Sequence, residues 1–199
     1  MKILIIILLT GNILFAQFLP ELFELNGYKT LKFGMSVEET ENKITNYNLI
    51  LFADYFETIE LNENTLLNIY KNDKEELAYY LYFYKDALYR IEICNHIGYS
   101  YNNPKFSYPA EGSKIDDIKE KLKMKYGDTS KTDIKYFSYY NKPFEEYILW
   151  WTSDLVSISL YVKPDLDTLD KTIKKYSYRI SFYDEIKIKE INKDYKRHK

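Results

Sequence analysis

The chain has 199 residues, of which 46% are hydrophobic and 18% aromatic, including 22 tyrosines. This composition excludes a disordered, collagen-like or low-complexity protein and suffices for one ordinary domain or two small ones. The 28 Lys and Arg residues nearly balance the 30 Asp and Glu residues, which argues against nucleic acid or acidic lipid as a bulk partner. The single cysteine excludes a disulfide framework and a four-cysteine zinc site.

Residues 1–16 have the layout of a secretory signal peptide. Lys2 supplies the positive charge, residues 3–9 are an unbroken apolar run, and Ala16 offers a small residue for cleavage. The apolar stretch is too short to span a bilayer as a helix; a buried N-terminal helix and an uncleaved anchor are the alternatives. No cysteine follows it, so lipoprotein processing is not indicated. We expect an exported bacterial protein, periplasmic or extracellular, with no stable membrane span after cleavage.

The first predicted helix covers residues 35–44. Ser36 and Glu39 have the spacing of a capping box, in which each side chain binds the other residue's backbone N–H. Strand patterns follow near residues 49–56, 65–71, 77–84 and 87–94. Residues 85–86 are predicted to form a two-residue hairpin turn, although the usual glycine is missing.

The second predicted helix covers residues 113–126. Ser113 is its expected N-cap, Asp116 and Asp117 its expected first-turn acids, and Gly127 its end. Strand patterns follow near residues 132–140, 144–152, 155–162 and 174–183. The two halves of the chain therefore share an order of one helix and four strands.

An offset of 78 residues superposes the two halves, since it places Gly34 on Gly112 and Leu77 on Leu155. We predict an α+β fold of two tandem units, residues 17–106 and 107–184, each with one helix on a roughly four-stranded antiparallel sheet. A basic C-terminal tail, residues 185–199, follows; it is expected to be a frayed, solvated helix or to bind an anionic surface. The alternative fold is one continuous α+β sheet.

The faces of two predicted strands differ. Residues 155–162 alternate apolar and polar side chains and predict one buried face, whereas residues 77–84 are apolar on both faces. The second face of 77–84 must be covered by the other unit, a loop or a partner. Tyr and Trp suit both a core and an interface. The candidate partner-binding residues are Tyr80, Tyr82, Tyr84, Trp150 and Trp151.

This pattern resembles the β-lactamase-inhibitor-protein fold, and the single unit is similar to the BamE/SmpA outer-membrane-assembly proteins. The resemblance is carried by residues 34–39 with Ile44, and by residues 112–117 with Leu122, Tyr126 and Gly127. It implies a binding module whose two sheets form one concave face, and it does not name the partner. The chain departs from these families because it has neither the inhibitors' disulfides nor a lipid-anchor cysteine.

The remaining chemistry-bearing residues form no recognised catalytic or metal motif. His96 follows Cys94 by two residues without further ligands, and Cys94 is expected to be a buried thiol or, alternatively, to be reactive or bonded to another chain. Asp165, Asp167 and Asp170 lack the glycine of a calcium loop. Adjacent acids occur at Glu38/Glu39, Glu75/Glu76, Asp116/Asp117 and Glu145/Glu146.

We therefore predict an exported, non-enzymatic binding protein of the cell envelope, with a protein or envelope ligand as partner. No catalytic, cofactor or metal site is expected. One alternative is a cell-envelope enzyme that uses a carboxylate pair. The other is a structural envelope protein that self-associates through an exposed sheet edge.

Overall fold

A computed structural model describes residues 27–44, 50–51, 64–72, 74–96, 108–139, 141–165 and 174–197. The strands in these ranges are β1 (Gly27–Tyr28), β2 (Leu31–Lys32), β3 (Ile50–Leu51), β4 (Thr65–Asn72), β5 (Leu77–Tyr84), β6 (Ala87–Cys94), β7 (Ala110–Glu111), β8 (Lys131–Tyr139), β9 (Lys142–Thr152), β10 (Val156–Pro164) and β11 (Lys175–Asp184). The helices are α1 (Val37–Ile44), α2 (Gly112–Tyr126) and α3 (Glu185–Arg197). The predicted signal peptide lies outside the described residues.

One antiparallel sheet contains strands from both halves of the chain. Its order is β3-β4-β5-β6-β11-β10-β9-β8, with β7 beside β11. The seam between the halves is the β6–β11 pair, in which Ile91 lies opposite Phe182 and Ile93 opposite Ile180. The prediction of two tandem helix-on-sheet units is therefore wrong, and the described chain is predominantly β. Pairing β6 with β11 gives hydrogen-bond partners to backbone N–H and C=O groups that would be unpaired at the edges of two separate sheets.

The two predicted helix starts have different outcomes. The capping box of α1 is confirmed, because the Ser36 N–H donates to Glu39 Oε2 at 2.9 Å and the Glu39 N–H donates to Ser36 Oγ at 3.1 Å. The predicted cap of α2 is wrong: this helix begins at Gly112, and Glu111 precedes it without a capping side-chain bond. Asp116 and Asp117 consequently lie beyond the first turn.

One face of the sheet, which we call the first face, carries α1, α2 and the small β1–β2 hairpin. The helices contribute the buried side chains Ile44, Ile115, Ile118 and Leu122. They pack against alternate residues of the central strands, including Leu81, Ile91, Leu160 and Phe182. Trp151 belongs to the same core, and its indole N–H donates to the Gly127 carbonyl at 3.0 Å. Trp151 thereby joins β9 to the end of α2.

The opposite, second face of the sheet carries α3. Its Ile188 and Ile191 pack against a cluster of buried residues, Ala78, Tyr80, Tyr82, Tyr84, Tyr89 and Cys94. The predicted solvated tail is thus a docked helix. Ser157 and Ser159, which the alternation predicted to face solvent, are each only 4% exposed. The expectation of one buried face on β10 is therefore wrong, because α3, which follows β11 in the chain, contacts β10 on the second face.

The predicted turn at residues 85–86 is confirmed, and it contacts elements on both faces of the sheet. Lys85 and Asp86 have φ angles of 49° and 59°, which suit the twist of a two-residue hairpin. The Asp86 carboxylate accepts the Val37 N–H at 3.0 Å, at the start of α1. The Lys85 ammonium lies 2.7 Å from the Asp194 carboxylate of α3. The turn therefore links α1 to α3.

Replacing Asp86 tests this link. We expect Asp86→Ala to lower the free energy of unfolding by about 2 kcal/mol. Alanine cannot accept the Val37 N–H, and it lacks the short polar side chain that lets Asp and Asn tolerate positive φ. Asp86→Asn keeps an acceptor and tolerates the same φ, so it should lose less than about 1 kcal/mol. Urea unfolding of both variants measures the difference, and equal losses would contradict the capping role.

Candidate functional site

Three charged side chains meet at the centre of the second face. The carboxylate of Glu92 on β6 is completely buried. Arg90, two residues earlier, donates from Nη2 to Glu92 Oε1, and Arg179 Nη1 of β11 lies 3.4 Å from Glu92 Oε2. A buried carboxylate is tolerated only when it is paired and hydrogen-bonded. We call these three residues the arginine cluster; it spans the seam between the two halves of the chain.

Neutral donors complete the shell around Glu92. The Tyr82 hydroxyl donates to Oε2 and the Ser181 hydroxyl to Oε1, each at 3.1 Å. Burial, with the adjacent Glu92 charge, raises the pKa of Tyr82 above its ordinary value. The phenol therefore stays protonated and keeps donating at neutral pH. Glu92 Oε1 therefore accepts hydrogen bonds from both sides of the seam, and Oε2 accepts one from Tyr82 on one side and faces the Arg179 guanidinium on the other.

The arginines lie on aromatic rings. The Arg90 guanidinium is 4.5 Å from the Tyr82 ring centre and 4.9 Å from that of Tyr183, and Arg179 is 5.6 Å from that of Tyr80. Tyr183 in turn stacks on Trp150 with 6.3 Å between ring centres. Cation–π contacts of this kind stabilise a desolvated cation. They compensate for the one positive charge of the cluster that Glu92 leaves unpaired.

The five sequence-predicted binding residues are divided by the sheet. Tyr80, Tyr82 and Tyr84 are buried on the second face, and Trp150 lies half-buried on that face beside Tyr183. Trp151 is buried in the core of the first face. A partner that contacted the three tyrosines would have to displace α3. In this arrangement, four of the five rings are covered by the chain itself.

Helix α3 is fastened over these tyrosines by polar contacts at both ends. Asp194 accepts hydrogen bonds from the Tyr84 hydroxyl and the Lys85 ammonium, each at 2.7 Å. The hydrogen bond from Lys85, followed by that from Tyr84, holds the pKa of Asp194 below its ordinary value. At the other end, Ser157 Oγ donates to Glu185 and the Glu185 N–H donates to the Leu155 carbonyl at 2.9 Å.

Cys94 is buried and His96 is half-buried beside the arginine cluster, and each is in its neutral, unreactive form at neutral pH. The Cys94 thiol is fully buried, as expected, and it donates to the His96 carbonyl at 2.8 Å. Burial raises its pKa to about 12, so the nucleophilic thiolate is absent at neutral pH. Burial, reinforced by Arg179, lowers the pKa of His96 to about 4. The described residues contain no group of side chains suited to a metal ion.

The four acidic pairs lie on four different elements. Glu38/Glu39 are in α1, Glu75/Glu76 between β4 and β5, Asp116/Asp117 in α2 and Glu145/Glu146 in β9. Glu39 accepts the Ser36 N–H in the capping box of α1. Two other pairs have a lysine partner: Lys29 lies 3.1 Å from Glu75, and Lys119 lies 3.2 Å from Asp116. The Lys119–Asp116 contact is a surface ion pair, whereas the Lys29 side chain is only 11% exposed and its pair with Glu75 is partly buried.

The β8–β9 hairpin presents apolar side chains that the sequence reasoning did not select. Ile134, Tyr136 and Phe137 are 47%, 71% and 43% exposed, and Phe137 stacks on Phe144 with 5.4 Å between ring centres. We call these four residues the hairpin surface. Strand β10 pairs with β9 only from Tyr147 onward, so the part of the hairpin that carries Tyr136, Phe137 and Phe144 lies beyond the segment paired with β10. The sequence feature that could have indicated this surface is the presence of apolar residues on both faces of β8.

The β8 strand lies at one end of the described sheet, where it has a neighbour only on its β9 side. No helix within the described ranges is long and apolar enough to cross a membrane. Comparison with known families, curated proteins and solved structures finds no significant match.

Replacing Glu92 tests the arginine cluster. We expect Glu92→Gln to lower the free energy of unfolding by about 3 kcal/mol, because two half-buried guanidinium groups lose their counter-charge. Ser181→Ala removes a single neutral hydrogen bond to the same carboxylate and should cost about 1 kcal/mol. Urea unfolding followed by tryptophan fluorescence compares them. A Glu92→Gln loss no larger than that of Ser181→Ala would show that the charge is not required.

The lowered pKa of Asp194 predicts an acid-sensitive α3. This stabilisation is complete above the ordinary carboxylate pKa of about 4 and is lost as pH falls through the lower folded-state value. Hydrogen exchange across α3 should therefore accelerate below about pH 4 before it does in β6. Asp194→Asn should show fast exchange in α3 already at pH 6. Exchange in α3 that is independent of pH in the wild type, after correction for the intrinsic rate, would contradict this tether.

Proposed function

We propose that the chain is an exported, non-enzymatic binding protein of the cell envelope, which engages a protein partner through the hairpin surface. The observation that carries this proposal is the concentration of exposed Ile134, Tyr136 and Phe137 on a strand at the end of the sheet. Clustered exposed apolar side chains mark interaction sites in soluble proteins. Aromatic residues are also enriched in the centres of interfaces.

The state of the titratable groups supports a binding role over catalysis. A catalytic thiol or imidazole needs a pKa near the working pH. The pKa of Cys94 is raised to about 12 and that of His96 lowered to about 4, so each is fixed in its neutral form. The acidic pairs lie on separate elements, and Glu75 and Asp116 are each paired with a lysine of the same chain. These features favour binding over the carboxylate-enzyme alternative.

Export remains a proposal from the N-terminal sequence pattern of residues 1–16. The burial of Cys94 is compatible with it, because a shielded thiol with a raised pKa resists oxidation in an oxidising compartment. Mass spectrometry of the N-terminal peptide of secreted protein would identify the cleavage position.

Affinity capture from envelope extracts tests the proposed surface. With the protein as bait, the double replacement Tyr136→Ser/Phe137→Ser should reduce the recovery of specific partners at least about tenfold, since interface aromatics often contribute about 2 kcal/mol each. Leu155→Ser is the matched control, because Leu155 is 62% exposed but lies between β9 and β10. The proposal fails if the double variant recovers the same partners as the wild type, or if only the control loses them.

A further inference from the structure

The edge strand β8 has a defined arrangement of side chains on its two faces. Thr132 and Ile134 lie opposite Leu149 and Tyr147, which pack against the first-face core. Residues 132, 134 and 136 therefore project on the first face. Residues 131, 133, 135 and 137 project on the second face, where their pairing partners include Trp150. The first-face set is uncharged, whereas the second-face set contains Lys131, Asp133 and Lys135.

Two copies of β8 can pair only in a few registers. An antiparallel pair of identical strands has a two-fold axis perpendicular to the sheet, so each residue meets a residue of the same face. The axis therefore passes midway between one residue and the same residue of the other copy, and that residue defines the register. Centring on Asp133 or Lys135 places like charges directly opposite each other, which destabilises a sheet. Centring on Tyr136 places Lys135 opposite Phe137 and leaves Asp133 without a cation across the interface. Centring on Thr132 also pairs Asp133 with Lys131 of the other copy, but β8 begins at Lys131, so only residues 131–133 would pair and the exposed Ile134 would lie opposite Ser130, outside the strand.

The register centred on Ile134 places complementary residues opposite each other. Asp133 of each copy lies opposite Lys135 of the other, giving two symmetric ion pairs on the second face. Within its own chain, Lys135 lies opposite Glu146, and the Asp133 carboxylate lies 2.7 Å from the Lys131 ammonium. Each proposed Asp133–Lys135 pair would therefore have Glu146 beside its lysine and Lys131 beside its aspartate, so positive and negative side chains alternate. On the first face, Ile134 meets Ile134 of the second copy. Tyr147 flanks this pair on each side.

From this complementarity we infer that the partner of the hairpin surface is a second copy of the chain. The two β8 strands pair antiparallel with Ile134 at the two-fold axis, and one sheet continues through both copies. The inference rests on the proposed function, because it names the partner of the same surface. Lysine on an edge strand ordinarily discourages pairing. Here each Lys135 would meet a carboxylate from the other copy.

Charge reversal tests the register. Sedimentation equilibrium of the protein expressed from its full sequence should show a dimer at micromolar concentration. Lys135→Glu or Asp133→Lys alone should raise the dimer dissociation constant about tenfold, because both ion pairs become like-charge pairs. The double variant Asp133→Lys/Lys135→Glu should restore it to within about threefold. In both Lys135→Glu and the double variant, the new glutamate lies opposite Glu146 of its own chain. This repulsion is the same in the two variants, so it cannot explain why the double variant dimerises better.

Disulfide trapping provides a second measurement. Directly opposite residues of an antiparallel pair have Cα atoms about 5 Å apart, within disulfide range. Ile134→Cys should therefore give a covalent dimer under mild oxidation, as should a mixture of Asp133→Cys and Lys135→Cys. Lys135→Cys alone should not, because its two copies would be about 8 Å apart. Native Cys94 does not interfere, since it is fully buried.

Each contrary result overturns the inference. A protein that stays monomeric up to about 100 μM has no such interface at useful affinity. A dimer that tolerates Lys135→Glu, or that is trapped equally through position 135 alone, uses a different register or surface. The protein could instead be monomeric and capture another protein in a way that depends on Tyr136 and Phe137. That result would overturn self-pairing and leave the proposed binding function standing. A dimer with intact charge coupling supports the inference even if no other protein is captured.

Discussion

The structure depends on a buried carboxylate at the seam between the two halves of the chain. Glu92 is completely buried on β6, and Arg179 reaches it from β11, while Arg90 and Tyr82 bind it from the β5–β6 side. A charge in this position strongly disfavours any arrangement in which its partners separate. The arginine cluster therefore favours the β6–β11 pairing over two independent sheets, and it fixes the register at which the halves join.

The abundance of tyrosine acquires a specific meaning beside this cluster. Tyr82 and Tyr183 enclose the Arg90 guanidinium, and Tyr80 lies against Arg179. Tyr84 instead donates to Asp194 and helps to hold α3 over the sheet. These rings combine apolar area with a polar tip, which suits a face that contains charge and is nevertheless covered. These rings pack within the chain, whereas the exposed Tyr136 and Phe137 lie on the β8–β9 hairpin.

Local features were predictable from the sequence, whereas the joining of distant segments was not. The bounds of β5 and β6, the turn at Lys85 and Asp86, and the capping box of Ser36 and Glu39 each depend on residues a few positions apart. The β6–β11 pairing and the docking of α3 depend on contacts about 90 to 110 residues apart, such as Ser181 to Glu92 and Tyr84 to Asp194. Periodicity shows that a strand needs cover on both faces, but it does not identify the covering element. The hairpin surface was missed because exposure at a sheet end depends on which strands pair.

Native-state hydrogen exchange measures directly whether the two halves fold as one sheet. The amides of β6 and β11 at Ile91, Ile93, Ile180 and Phe182 should be among the slowest to exchange. They should open only with global unfolding, together with the core of β5 and β10. A single free energy of opening on both sides of the seam is the expected result. Opening of residues 64–96 at a distinctly lower free energy than residues 141–184 would contradict it, because the two halves would then be separate folding units.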